Sequence, residues 1–420
     1  MSRIVAELTW VFELWLGRGL DDMGTETPFL ARLFDVITGE PSMTIHGRNS
    51  ILYDLLRDAL QVEEVAAWRA AYDAFLDAYF VYCLNEETGI PRAWDCANDV
   101  AVDDGYVEIA PSVGLLVDLA LEGPPRVRER ARAAAERVGR TVLAHGVLPD
   151  GEVAAKYRPR DAAPNTSYTH LRRLNLVAQL ERIGRLTDDP EYRVAVREAV
   201  ANFEYRHGWP GTWDEIDPGF DDNFGNYGGM ALLMWRASPD EQMFRRLVMS
   251  GIEYYLPRWE HALVLGGNIA ADQVRCWKIL TEVLELEPAL RPRVAPLLRL
   301  AARSHFKGEQ YPGGAWGDVT IGNFDPKGDL QVGDIKGTPQ NFLSGLALIY
   351  DPGLAAEPGG PDLREVRAMF TTLLRSSRTA YRREFGYLET RREVQGSNRS
   401  AGSLRLAVGL VEMLQRLTPR

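Results

Sequence analysis

DDGYVEIAPSVGLLVDLAL, from Asp103 to Leu121, is the stretch that decides the fold. A loop of Asp, Gly and Tyr runs directly into an apolar helix with small residues on one face. The same phrase returns as NTSYTHLRRLNLVAQL from Asn165, DDNFGNYGGMALLMW from Asp221, GGNIAADQVRCWKIL from Gly266, DIKGTPQNFLSGLALIY from Asp334 and QGSNRSAGSLRLAVGLVEML from Gln395. A weaker first copy is HGRNSILYDLLRDAL from His46. Starts fall roughly 45 to 70 residues apart, room for one helical hairpin and its loops. Between the copies lie helices of another kind, such as PRVRERARAAAERVGRTVLAHG from Pro125 and PEYRVAVREAVANFEYR from Pro190. Their apolar residues fall at i, i+3, i+4 and i+7 with Arg and Glu between them, so one face is charged.

This alternation predicts an all-α toroid of six helical hairpins, with room for a seventh at the N-terminus. The charged helices form the outer ring and the small-residue helices the inner one. The inner helices aim their N-terminal loops into one central cavity. Pro or Asp opens the outer helices at Asp189-Pro190, Pro239-Asp240 and Pro361-Asp362, as helix starts favour. Sustained period-2 alternation is absent, so short strands are expected only in loops, for example around GVLPDGEVAAKY from Gly146. No linker or low-complexity tract interrupts residues 1–420, which read as a single domain, with helices in 1–60 packing on or completing the toroid.

The 420 residues carry a net charge of −11, against a general nucleic-acid or anionic-membrane surface. Hydrophobic content of 45% is ample for a core. Cys83, Cys96 and Cys276 are too scattered for a disulfide framework or a cysteine-based zinc site. The N-terminal MSRIVAELTWVFELWLGRGL is amphipathic, with Glu7 and Glu13 inside it, and does not read as a signal peptide. No run is long and apolar enough for a membrane span. These features lead to the expectation of a reduced, cytoplasmic protein acting on a small molecule.

Four constellations could carry chemistry. Asp103, Asp104 and Glu108 precede one inner helix, and Asp214, Glu215, Asp217, Asp221 and Asp222 precede another. Paired carboxylates serve glycosidic cleavage, one as acid and one as base or nucleophile. Acids at helix starts also cap helices. Tyr168 and His170, followed by Arg172 and Arg173, could abstract a proton next to a uronate carboxylate. Trp209, Trp213, Tyr227, Tyr311 and Trp316 sit in Gly/Pro-rich loops, where aromatic faces suit sugar rings or carbocations. Asn223, Asn226, Asn268, Asp272, Asn341, Asn398, Lys336 and Arg399 stand at helix starts, where amides and cations bind hydroxyls, carboxylates or phosphates. Phosphate-loop, dinucleotide, HExxH and nucleophile-elbow motifs are absent. The histidines show no spaced metal-ligand pair.

The alternating helices resemble the six-hairpin glycosidase-like superfamily of hydrolases, sugar epimerases and helical polysaccharide lyases. DDNFGNYGGMALLMW is similar to an alginate-lyase inner helix at Asn223, Gly225 and Tyr227, with Phe224 where that family has His. A weaker resemblance is to the terpenoid-cyclase and prenyltransferase toroid, through Gln310, Gly314 and Trp316 in Q-x3-G-x-W spacing. The residues, together with the first resemblance, lead to the expectation of a carbohydrate-active enzyme, hydrolase before lyase or epimerase, without cofactor or metal. In it Asp103 or Asp104 and Asp221 or Asp222 are the carboxylates. Trp213, Tyr227 and Trp316 stack on the sugar, while His170, Arg172 and Lys336 hold its polar groups. The alternative is an isoprenoid cyclase or isomerase using an Asp acid or Mg²⁺ with a diphosphate. A third reading is a non-catalytic helical-repeat binding protein.

Overall fold

The computed structural model describes residues 5, 6, 8, 9, 49–95, 98, 100–166, 170–207, 228–264, 274–306, 319–324, 330–335, 381–382, 387–388 and 411. Ten α-helices fall among them: α1 (Asn49–Val62), α2 (Ala66–Tyr82), α3 (Ala110–Glu122), α4 (Pro125–His145), α5 (His170–Thr187), α6 (Pro190–His207), α7 (Gly229–Ala237), α8 (Gln242–Val264), α9 (Val274–Leu286) and α10 (Arg291–Phe306).

Five of the recurring phrases lead into α1, α3, α5, α7 and α9, as the spacing predicts. The helices expected from Asp334 and Gln395 lie outside the described residues. Within each pair the connection is short: Gly123-Pro124 between α3 and α4, Asp188-Asp189 between α5 and α6. Such turns force antiparallel neighbours. The odd-numbered helices therefore run parallel and start at one end.

The packing follows this order. Each odd-numbered helix packs against the next, α1 on α3, α3 on α5, α5 on α7 and α7 on α9. Each even-numbered helix backs its own hairpin partner, and α4 touches α6 and α8 touches α10 behind them. This is the inner and outer layering of a toroid. Buried residues from Leu8 to Val411 form one hydrophobic cluster, with Trp68, Tyr79, Tyr157, Tyr192, Tyr255 and Phe75 the largest fully buried side chains.

Small residues let the helices approach. Gly114 on α3 faces the Gln179 side chain of α5, and Gly229 on α7 faces Ile279 of α9. Tyr192 on α6 is wedged between two glycines. A Cβ on Gly139 of α4 would lie 2.7 Å from its ring, and one on Gly184 of α5 would lie 2.9 Å from its Cβ. Its hydroxyl donates to the Glu136 carbonyl at 3.2 Å. α6 opens as expected at Pro190, with the Glu191 N–H donating to Asp189 Oδ1 at 3.0 Å.

The charged outer faces pair across hairpins. Arg126 on α4 meets Asp73 at 3.0 Å and also Asp77, both on α2. Arg140 on α4 meets Glu191 at 2.7 Å and also Asp189 at the head of α6. Arg245 on α8 meets Glu287 at 2.8 Å, and Arg293 on α10 meets Glu253 at 2.6 Å. Exposed pairs contribute about 0–1 kcal/mol each, so they set helix register more than stability.

Strands occur as two-stranded pairs in the loops. β1 (Ala93–Asp95) pairs with β2 (Val100–Val102), and β3 (Val107–Glu108) with β4 (Lys156–Tyr157). The stretch from Gly146 forms β4 and the Val147–Val153 bridge, as expected. β5 (Val319–Phe324) and β6 (Leu330–Ile335) make a longer hairpin that the sequence reading did not anticipate. β7 (Tyr381–Arg382) pairs with β8 (Tyr387–Leu388). Among the described residues no helix is long and apolar enough to cross a membrane.

Candidate active site at the head of the inner helices

The loop after α2 is built around Asn85. Its Oδ1 accepts from the N–H groups of Glu87 and Thr88, both at 3.0 Å, and from Thr88 Oγ1 at 3.1 Å. Gly89 turns the chain with φ of 74°, a conformation that favours glycine. The Asn85 amide then reaches forward and donates from Nδ2 to Asp103 Oδ1 at 3.1 Å. Arg92 Nε donates to the same oxygen at 2.8 Å. Asp103 is therefore a partly buried anion tied into its own loop, with Oδ2 clear of these two donors.

Asp104 stands differently. Its side chain is 79% exposed and meets the equally open Arg160 at 3.2 Å. Arg160 also donates its backbone N–H to the Asp103 carbonyl at 3.1 Å, so the loops ahead of α3 and α5 interlock here. Beside them Arg158 pairs with Asp161 and lies 5.8 Å from the centre of the exposed Tyr106 ring. The hydrogen bond from Arg158, aided by the Ala163 N–H, holds the Asp161 carboxyl below its usual range, at about 2. These groups make an exposed charged and aromatic patch.

Glu108 lies deeper. It sits on β3, two residues before α3, and accepts from Asn175 Nδ2 on α5 at 3.4 Å. Asn175 Oδ1 is buried and has no hydrogen-bond partner. An unmade bond of this kind costs about 1–3 kcal/mol. The contact marks the head of a polar seam between α3 and α5. One turn down, Gln179 packs on Gly114. A further turn down, Arg182 pairs with Asp118, which also faces Arg57 of α1 at 3.5 Å. Burial alone would lower the Arg57 pKa; Asp58, Asp54 and Asp118 outweigh it and raise it.

Of the residues expected to act, Asp103 and Asp104 share the loop ahead of α3, one anchored and one exposed. His170 and Arg172 fall in the first turn of α5, whose side chains are outside the described part. Tyr168, Trp209, Trp213, Asp221, Asp222, Asn226, Tyr227, Asn268, Trp316, Lys336, Asn341 and Arg399 lie outside the described residues. So do Gln310 and Gly314 of the Q-x3-G-x-W stretch. Sequence reasoning named Glu108 within its carboxylate cluster but weighted Asp103 and Asp104 above it, and it missed Asn175. Cys83 is buried. Among the described residues no group of three or more His, Cys, Asp or Glu side chains is placed to hold a metal ion.

The whole chain superposes on known toroids. With cellobiose 2-epimerase from Spirochaeta thermophila DSM 6192 the TM-score is 0.54 at 13% identity, covering 99% of this chain and 96% of that one. With cellobiose 2-epimerase from Bacillus thermoamylovorans B4167 it is 0.51 at 11% identity, covering 99% and 100%. With a sugar epimerase from a ruminal bacterium it is 0.50 at 10% identity, covering 100% and 99%. The fold is thus an (α/α)6 toroid. No protein-family model and no curated protein matches the chain by sequence.

Proposed function

We propose that the protein is a carbohydrate-active enzyme using carboxyl general acid–base catalysis at the mouth where its inner helices begin. The observation that carries this reading is the Glu108–Asn175 contact. It places a carboxyl at the heads of two neighbouring inner helices, the end to which parallel inner helices deliver their loops. Asp103, five residues before it, is held in place by Arg92 and Asn85. Asp104 and Tyr106, with Arg158 and Arg160, offer the hydrogen-bonding and stacking groups that a sugar meeting this patch would use.

Glycosidic cleavage is the first form of this reading. Glu108 would protonate the leaving oxygen, and Asp222 or Asp221, from the loop ahead of α7, would act as base or nucleophile. Sugar epimerisation is the second, supported by the three structures named above, which are sugar epimerases. In it Glu108 would move a proton at a carbon next to the carbonyl of the open-chain sugar.

One experiment separates the two. The purified protein is incubated in D₂O with cellobiose, mannose, glucose and uronide oligosaccharides, and the products are read by mass and NMR. Hydrolysis shortens the chain with uptake of water. Epimerisation keeps the chain length and places deuterium on carbon. A parallel incubation with prenyl diphosphates and Mg²⁺ tests the isoprenoid alternative, and turnover there without sugar turnover would overturn the proposal.

A further inference from the structure

We propose that Asn175 is a positioning residue for Glu108, its side-chain amide fixing the orientation of that carboxyl at the head of the α3–α5 seam. The inference rests on the reading of Glu108 given above.

The seam shows why an amide at this position needs its own explanation. Asn175, Gln179 and Arg182 fall on one stripe of α5, at i, i+4 and i+7. Gln179 fills the space left by Gly114, and Arg182 neutralises Asp118. Those two account for helix packing. Asn175 does something else: Nδ2 donates to Glu108 Oε1 at 3.4 Å, and Oδ1 is buried without a partner. An apolar side chain of the same size would leave no orphaned acceptor. The donor to Glu108 is the hydrogen bond this amide makes.

The chemistry of an amide suits a carboxyl that gains and loses a proton. Nδ2 donates to the ionised group. A half-turn of the amide presents Oδ1 to the hydroxyl of the protonated one. The bond to the ionised form is charge-assisted and the stronger of the two, so the amide favours that state while still able to meet the protonated one. The charged group opposite Glu108 in the β3–β4 ladder is Lys156. His170, Arg172 and Arg173 precede Asn175 on α5.

The test uses the full-length protein labelled with [5-¹³C]glutamate. The Glu108 carboxyl resonance is assigned by its loss in Glu108→Gln and followed through a pH titration. Asn175→Asp places a second carboxyl beside Glu108 and is expected to raise its midpoint by about one pH unit or more. Asn175→Leu, similar in size and apolar, is expected to raise the midpoint as well, because the ionised form loses its donor. It should also lower kcat for the sugar substrate while leaving KM nearly unchanged. A folded Asn175→Leu protein whose Glu108 titrates as in the wild type overturns the inference, whether or not Asn175→Asp folds. Failure of the functional reading looks different: Glu108→Gln then turns over sugar at the wild-type rate, whatever the titration of Glu108 shows.

Discussion

Glu108 and Asp103 lie five residues apart in one loop, and their surroundings differ. Asp103 Oδ1 already accepts from Arg92 and Asn85, whereas Glu108 reaches across to the neighbouring inner helix. Glu108→Gln should therefore reduce kcat by about a hundredfold or more, the scale of losing an acid–base group. Asp104→Asn, at a side chain 79% exposed beside Arg160, should raise KM for the sugar while leaving kcat within a few-fold of wild type in the same assay. The acid-rich loop was legible in the sequence, but the choice among its acids was not. Spacing shows which residues precede a helix; it does not show which oxygens are already bonded. Tyr192 tells the same story for packing. Nothing in PEYRVAVREAV marks it as the side chain locked between Gly139 and Gly184. Gly139→Ala drives a methyl to 2.7 Å from its ring and should destabilise the fold by about 1–3 kcal/mol, read as a lower Tm.

At the scale of elements, α5 departs most from its expected character. Inner helices were expected to be small-residued and weakly charged, and α3 and α7 fit that description. α5 carries Asn175, Gln179 and Arg182 on the stripe facing α3. The i, i+4, i+7 spacing was present in NLVAQLERIGR, but a polar stripe on one helix becomes meaningful only once its partner is known. Asp118, about 64 residues upstream of Arg182, is that partner. Asp118→Asn should leave Arg57 and Arg182 without their shared counter-charge. Breaking a buried ion pair costs about 3–5 kcal/mol, and the partial exposure of these groups should bring the loss below that range in thermal or chemical denaturation. The loop that holds Arg158 and Asp161 offers a pH test. The Asp161 carboxyl titrates at about 2, below the usual carboxylate range, because Arg158 and the Ala163 N–H favour its ionised form. A depressed folded-state pKa means that the clasp's contribution is present above the unfolded value and is lost as pH falls through about 2. NMR titration of Asp161 should show that low midpoint, and Arg158→Ala should return it toward about 3.9.

Across the whole molecule, the repeated phrase was enough to read the architecture. Loops that enter small-residue helices every hairpin predict parallel inner helices, and that is how α1, α3, α5, α7 and α9 are arranged. The β5–β6 hairpin escaped because its residues, VTIGNF and LQVGDI, lack a clean alternation of apolar and polar side chains. The reaction was less legible than the ring, since one toroid supports several chemistries and its loops decide between them. In the proposed reaction a sugar reacts at the head of the inner helices through Glu108. The most direct measurement is the D₂O incubation with the sugar panel, run on the wild type and on Glu108→Gln side by side. A shortened or deuterium-bearing sugar is expected with the wild type and essentially none with the variant. Equal turnover by both proteins, or no sugar turnover alongside consumption of a prenyl diphosphate, would contradict it.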